Sequence, residues 1–97
     1  MPKIRVVAHL TSRPETIAET RAALEGFIEP TRAEAGCTFY ELMQNNADPT
    51  DFTFIEEWES DETLDAHLES PHIAAFKESA SDLLACDPDI RRYTLIK

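Results

Sequence analysis

Glycine is nearly absent from this 97-residue chain: there are two, Gly26 and Gly36. A loop that cradles phosphate with consecutive backbone N–H groups needs glycines in close order, so glycine-rich nucleotide motifs are excluded. Cysteine is as scarce. Cys37 and Cys86 lie far apart, with no CxxC pair and no Cys/His cluster, which leaves a thiolate metal site or redox dithiol without a framework; two small, partly buried thiols are expected. Positive charge is short too. Nine Lys and Arg stand against 19 Asp and Glu, a formal charge of −10. Nucleic acid and anionic membranes both reward a basic face, so neither is an expected partner. No apolar run approaches the ~20 residues of a membrane span, and the opening MPKIRVVAHL turns polar too early for a signal peptide. The expectation is one cytoplasmic domain over residues 3–97.

What is present is patterned. Residues 3–11 (KIRVVAHLT) are β-branched and alternating, which predicts a strand with Ile4, Val6, Ala8 and Leu10 on one face and Arg5, Val7 and His9 on the other. Ser12-Arg13-Pro14-Glu15 has the form of a capping box with proline in the first helical turn. Ile17, Leu24, Ile28, Thr31 and Ala35 come next at helical spacing, so a helix is expected to about residue 35. Pro30, four residues after Gly26, predicts a kink in it rather than a stop, and Gly36 its C-terminal cap. Strands are expected at 37–44 and 52–59 around the turn-rich NNADPTD. Ser60 caps a short helix, Ser70 and Pro71 start another with Ile73, Phe76, Ala80, Leu83 and Leu84 as its stripe, and 90–97 is the last strand.

The order β-α-β-β-α-β is the ferredoxin-like pattern, an α+β fold with a four-stranded antiparallel sheet and helices on one face. Yet both faces of the strands carry apolar groups: Val7 opposite Ile4 and Val6, Phe39 and Met43 opposite Tyr40 and Leu42, Ile55 opposite Phe52, Phe54 and Trp58. Two helical regions cover one face. The other would leave an apolar patch larger than monomers usually expose, so a homodimer packed sheet to sheet is expected.

The stretch 52–76 gathers an aromatic strand, a capped helix and two of the three histidines. Its EEWESDETLDAHLESPHIAAF, with EPTRAEAGCTFYEL upstream and the late IRRY, resembles the antibiotic biosynthesis monooxygenase family, and more narrowly its small quinol monooxygenase-like members. The likeness covers almost the whole chain. It implies a dimeric α+β barrel and, in some relatives, oxidation of quinols or anthrones by O₂ without metal or organic cofactor. Haem-degrading relatives use an asparagine, a tryptophan and a histidine where this chain has Ala8 or His9, His67 and Lys77, so that activity is disfavoured.

On this resemblance His67 is the candidate base or polar anchor, with His72 assisting. Both are near-neutral titrating groups suited to proton transfer; the plainer alternatives are a buried, hydrogen-bonded His67 and an exposed or capping His72. Trp58, Tyr40, Phe54 and Phe76 are core residues by default and walls for a flat aromatic substrate if a pocket exists. Glu56 and Glu57 point to opposite faces, and the inward one needs a partner, for which His9, Arg91 and Arg92 are candidates. His67 and His72 are five apart and not an i, i+4 metal pair, and no cysteine or carboxylate is seen to complete a set, so no metal and no cofactor is expected. The reaction expected is cofactor-independent oxidation of a small aromatic substrate by O₂. The alternatives are a non-catalytic dimeric small-molecule-binding or stress protein, and an isomerase of a small metabolite, which would need more cationic anchors.

Overall fold

In Asp51–Trp58 every second side chain is buried: Phe52, Phe54, Glu56 and Trp58 face inward while the residues between them stay partly open. That period of two makes the segment a strand of a half-covered sheet. The computed structural model, which describes residues 3–97, orders the chain as β1 (Ile4–Thr11), a 3-10 turn (Pro14–Thr16), α1 (Ile17–Glu25), α2 (Ile28–Arg32), β2 (Cys37–Gln44), β3 (Asp51–Trp58), α3 (Asp61–Leu68), α4 (Pro71–Leu83) and β4 (Asp89–Thr94). The strands form one antiparallel sheet in the order β2-β3-β1-β4. The α+β, ferredoxin-like expectation is therefore met.

The helices close one face. Val6, Ala8 and Leu10 of β1 and Tyr40 of β2 join the β3 set under Leu24, Leu64, Ile73 and Phe76. Burying each such side chain contributes about 1.5–3 kcal/mol. Val7, Ile55, Phe39, Met43 and Tyr93 fall on the opposite face, where Phe39, Met43 and Tyr93 are exposed. The two-sided apolar pattern is thus present in three dimensions. Among the described residues no helix is long and apolar enough to cross a membrane.

Three local expectations need correction. The first helix does not run to residue 35. It breaks at Gly26–Phe27 and restarts as α2, with Pro30 in its first turn, where a missing N–H costs no intrahelical bond. Nor does Ser12 form a capping box: its backbone N–H donates to the Thr50 carbonyl at 2.8 Å and it bridges to Leu84, so sheet-like pairing holds it outside the helix and its hydroxyl has no partner. Ser70 precedes α4 as expected, but its hydroxyl makes no cap. Ser60, by contrast, caps α3 in a reciprocal box with Thr63.

Gly36 sets the closest approach between the α2–β2 turn and α3. Its φ of +85° lies in the left-handed region, and a Cβ there would stand 2.5 Å from Thr63 Cβ. Glycine alone lets the turn after α2 lie directly against α3. The Glu59 N–H donates to the Gly36 carbonyl at 2.9 Å and fixes that contact.

Candidate functional site

The site lies where the α2–β2 turn, the inner face of β3 and the α3–α4 corner meet. α3 is aimed by two sets of contacts. Ser60 and Thr63 secure its start, and Arg92 of β4 donates to Asp61 at 2.8 Å and to Asp65 at 2.6 Å. One turn beyond Thr63, His67 is thereby directed into the core, only 3% exposed, with its ring stacked on Trp58 at 4.7 Å and edge-on to Tyr40 at 5.7 Å. On the other side Arg32 ties α2 to β2, donating through Nε (3.1 Å) and Nη2 (2.8 Å) to the Tyr40 carbonyl.

The partner of His67 is a residue that the sequence reading missed. His67 Nδ1 lies 2.8 Å from Glu34 Oε2. An ionised carboxylate can only accept, so Nδ1 carries the ring proton and Nε2 keeps its lone pair. Burial pushes the His67 pKa below its usual value, against the opposing pull of the Glu34 hydrogen bond and charge; the neighbouring His72 also lowers it. His72 Nε2 is 2.8 Å from the buried Thr31 hydroxyl and 3.6 Å from Glu34 Oε1. The ligand-capable atoms of Glu34, His67 and His72 lie within 4.8 Å of one another. A carboxylate therefore does accompany the two histidines, contrary to expectation. It escaped notice because Glu34 lies 33 residues from His67 and only the Gly36 turn brings them together. The one available signal was its place in EPTRAEAG, three residues after Thr31 on the helix stripe.

Glu56 is the inward carboxylate of the pair, 5% exposed, and its partner is none of the three candidates. Trp58 Nε1–H donates to Glu56 Oε1 at 2.8 Å, two residues along the same strand face. Burial pushes the Glu56 pKa up to about 7; the Trp58 bond works against this and the Glu34 charge adds to it. Tyr40 is driven the same way, first by burial and then by Glu56, so its phenol stays protonated. Arg92 serves α3 instead, Arg91 pairs with Asp89, and His9 lies on the outer face beside Thr53 and Asp51. His9 is therefore separated from the other candidates by the sheet.

The four expected walls come together, and Phe27, which the sequence reading passed over, joins them. Tyr40 stacks on Phe54 at 4.9 Å, Phe54 on Phe27 at 5.8 Å, and Phe27 meets Phe76 edge-on at 5.2 Å and His72 at 5.7 Å. These rings pack on one another. A groove of about 550 Å³ lies elsewhere, between α1–α2 and β2, lined by Arg21, Ile28, Arg32, Leu42 and Gln44 among others.

Residues 3–79 match the family described as antibiotic biosynthesis monooxygenase. The Synechocystis protein sll1783 is 33% identical over 92 residues, 95% of this chain; the chain spans only 63% of that relative's length. The Escherichia coli protein named "Probable quinol monooxygenase YgiN" is 34% identical over 87 residues, covering 78% of this chain and 83% of its own. The crystal structure of PA3566 from Pseudomonas aeruginosa superposes with a TM-score of 0.94 at 28% identity, over 100% of this chain and 97% of that one. The chain belongs to the antibiotic biosynthesis monooxygenase family.

Proposed function

We propose that this protein is a cytoplasmic, homodimeric, cofactor-independent monooxygenase that oxidises a quinol- or anthrone-type aromatic with O₂ to a quinone. The observation that carries the reading is the buried His67 paired with the half-buried Glu34 and stacked on Trp58: a neutral imidazole held in one tautomer, with its Nε2 lone pair free, inside an aromatic enclosure. Family membership and the likeness to the protein named for quinol monooxygenation support it.

The chemistry asks little redox work of the protein. Removing a proton makes the substrate an electron-rich anion, which passes one electron to O₂. The radical pair joins in a C–O bond to give a hydroperoxide. Loss of water then leaves a new carbonyl, with one oxygen atom in the product and the other in water. His67 Nε2 accepts the proton, Glu34 orients the ring and stabilises the imidazolium that forms, and His72 assists from the rim. Trp58, Tyr40, Phe54 and Phe76 hold the flat substrate away from water, which requires the stacked rings to part as it enters. Glu56, pushed up to about 7 by burial, is the candidate source of the proton for the departing water.

The packing of those rings on one another favours a second reading, a dimeric binding protein without chemistry, and one experiment separates the two. Purified protein is screened with an oxygen electrode against quinols and anthrones. The monooxygenase reading expects one O₂ consumed per turnover, with no oxygen returned on adding catalase. His67→Gln should lower kcat by about 10²-fold or more, the usual share of a positioned acid–base group, while the dimer stays folded. Saturable ligand binding without oxygen uptake would replace the monooxygenase with the binding protein.

A further inference from the structure

Glu34, His67 and His72 form a hydrogen-bonded set, but the same three side chains satisfy a second chemistry. We propose that they form a binding site for one divalent transition-metal ion of the zinc, cobalt or nickel kind. Two imidazole nitrogens and one carboxylate oxygen suit these borderline ions, whereas Mg²⁺ and Ca²⁺ prefer oxygen ligands throughout. Ligands about 2.1 Å from one ion stand roughly 3.0–3.4 Å apart. Here His67 Nδ1 is 2.8 Å from Glu34 Oε2, His72 Nε2 is 3.6 Å from Glu34 Oε1, and the donor atoms of all three residues lie within 4.8 Å of one another, so a small closure of the partly exposed Glu34 and His72 would bring them to one ion. No other His, Cys and carboxylate group of this kind occurs among the described residues.

The surroundings fit an ion as well. His67 is held rigidly from behind by Trp58, which limits the reorganisation that binding requires. Glu34 and His72 are each about a fifth exposed, 21% and 19%, so the set opens to solvent along one edge and an ion has a way in. Thr31 Oγ1, beside His72, offers a further oxygen at the edge of the set. The ion would replace the proton now lying between His67 and Glu34. With Nδ1 engaged, that proton, the only one on the neutral ring, moves to Nε2, which removes the acceptor that the monooxygenase reading needs; that inhibitory consequence rests on the monooxygenase reading, and the binding itself does not.

The chain carries its own reporter. Trp58 is the sole tryptophan and stacks on His67 at 4.7 Å. Co²⁺ is titrated into the reduced, full-length protein in excess Mg²⁺ while Trp58 fluorescence is monitored. A saturable quench at one ion per chain, displaced by Zn²⁺, is expected. Glu34→Gln and His72→Asn, both at partly exposed positions and checked for folding by thermal melt, should each weaken Co²⁺ by about tenfold or more. His9→Asn and Cys86→Ser should leave it unchanged. Absence of a saturable quench would overturn the site, as would binding that persists in both ligand variants or disappears with His9 or Cys86. Because the readout is binding, it succeeds or fails independently of oxygen uptake.

Discussion

Glu56 and Glu57 are the same residue at adjacent positions, yet the sheet gives them opposite chemistry. Glu56 faces the helices, receives one hydrogen bond from Trp58 and is pushed up to about 7 by burial. Glu57 faces outward, bonded by Thr38 at 2.7 Å and Arg5 at 2.7 Å with Lys3 at 3.4 Å, and its carboxyl is held below the usual range. The histidines repeat the contrast: His67 is buried against Trp58 and Glu34, and His9 is open beside Thr53 and Asp51. One strand of pleated backbone thus separates a dry face, where ionisation is costly, from one where it is free. The titratable groups of the candidate site lie on the first, and the exposed Phe39, Met43 and Tyr93 lie on the second.

The largest effect expected of this contrast is in packing. Trp58→Ala should cost about 3–5 kcal/mol by denaturant unfolding, since it empties a fully buried site and strips Glu56 of its donor. Phe39→Ala, on the outer face, should cost the isolated chain less than about 1 kcal/mol but weaken self-association. Light scattering of the parent protein at micromolar concentration should give twice the chain mass, and the Phe39 variant should dissociate on dilution. A parent protein that is monomeric throughout would leave the outer face without its expected cover.

The next effect is one of pH. Glu56 titrates near 4.5 when unfolded and about 7 when folded, so between those values the folded chain holds a proton that the unfolded chain has released. Its contribution to stability is fully present below about pH 4.5 and is lost as pH rises through 7. Relative to Glu56→Gln, the parent protein should therefore lose on the order of 3 kcal/mol between about pH 5 and pH 8. His67, whose value is lowered, contributes with the opposite slope, which the difference between the two proteins cancels. Denaturant midpoints at several pH values measure this. Parallel curves would mean that Glu56 is solvated in the folded state.

Much of this arrangement was legible in the chain, and the exceptions have physical causes. The strands were legible because alternation and β-branching act locally, and the α3 cap because Ser60 stands directly before the acidic Asp61 and Glu62, which suit a helix start. Ser12 misled because its backbone N–H is claimed by Thr50, a partner that only the assembled sheet supplies. Glu34 was illegible for a similar reason. It is one of many carboxylates until Gly36, positive in φ, turns the chain under Thr63 and delivers it to His67. The Glu56–Trp58 bond was within reach, since residues i and i+2 share a strand face; the search for a cationic partner overlooked a neutral indole donor. Phe27 was passed over; from the break between α1 and α2 it links Phe54 to Phe76, a contact that only the assembled helices supply.

The smallest effect belongs to Glu57, and it tests whether the outer face is surface at all. Its depressed pKa, due first to Thr38 and then to Arg5 and Lys3, stabilises the fold above about pH 4.5 and loses that contribution as pH falls through the depressed value. This is the opposite sign to Glu56, in an acid window rather than a neutral one. Exposed pairs are weak and are screened by salt. In dilute protein, Glu57→Gln should therefore lower the melting midpoint at pH 7 far less than Trp58→Ala does. The difference should shrink in high salt and vanish in strong acid. If a second copy covers this face, as Phe39, Met43 and Tyr93 suggest, the Arg5–Glu57 pair is drawn out of water in the assembly. Its loss should then grow with protein concentration and resist salt. Melting curves at two concentrations and two ionic strengths decide it: a small, salt-sensitive, concentration-independent shift means that water, and not a second copy, lies over Glu57.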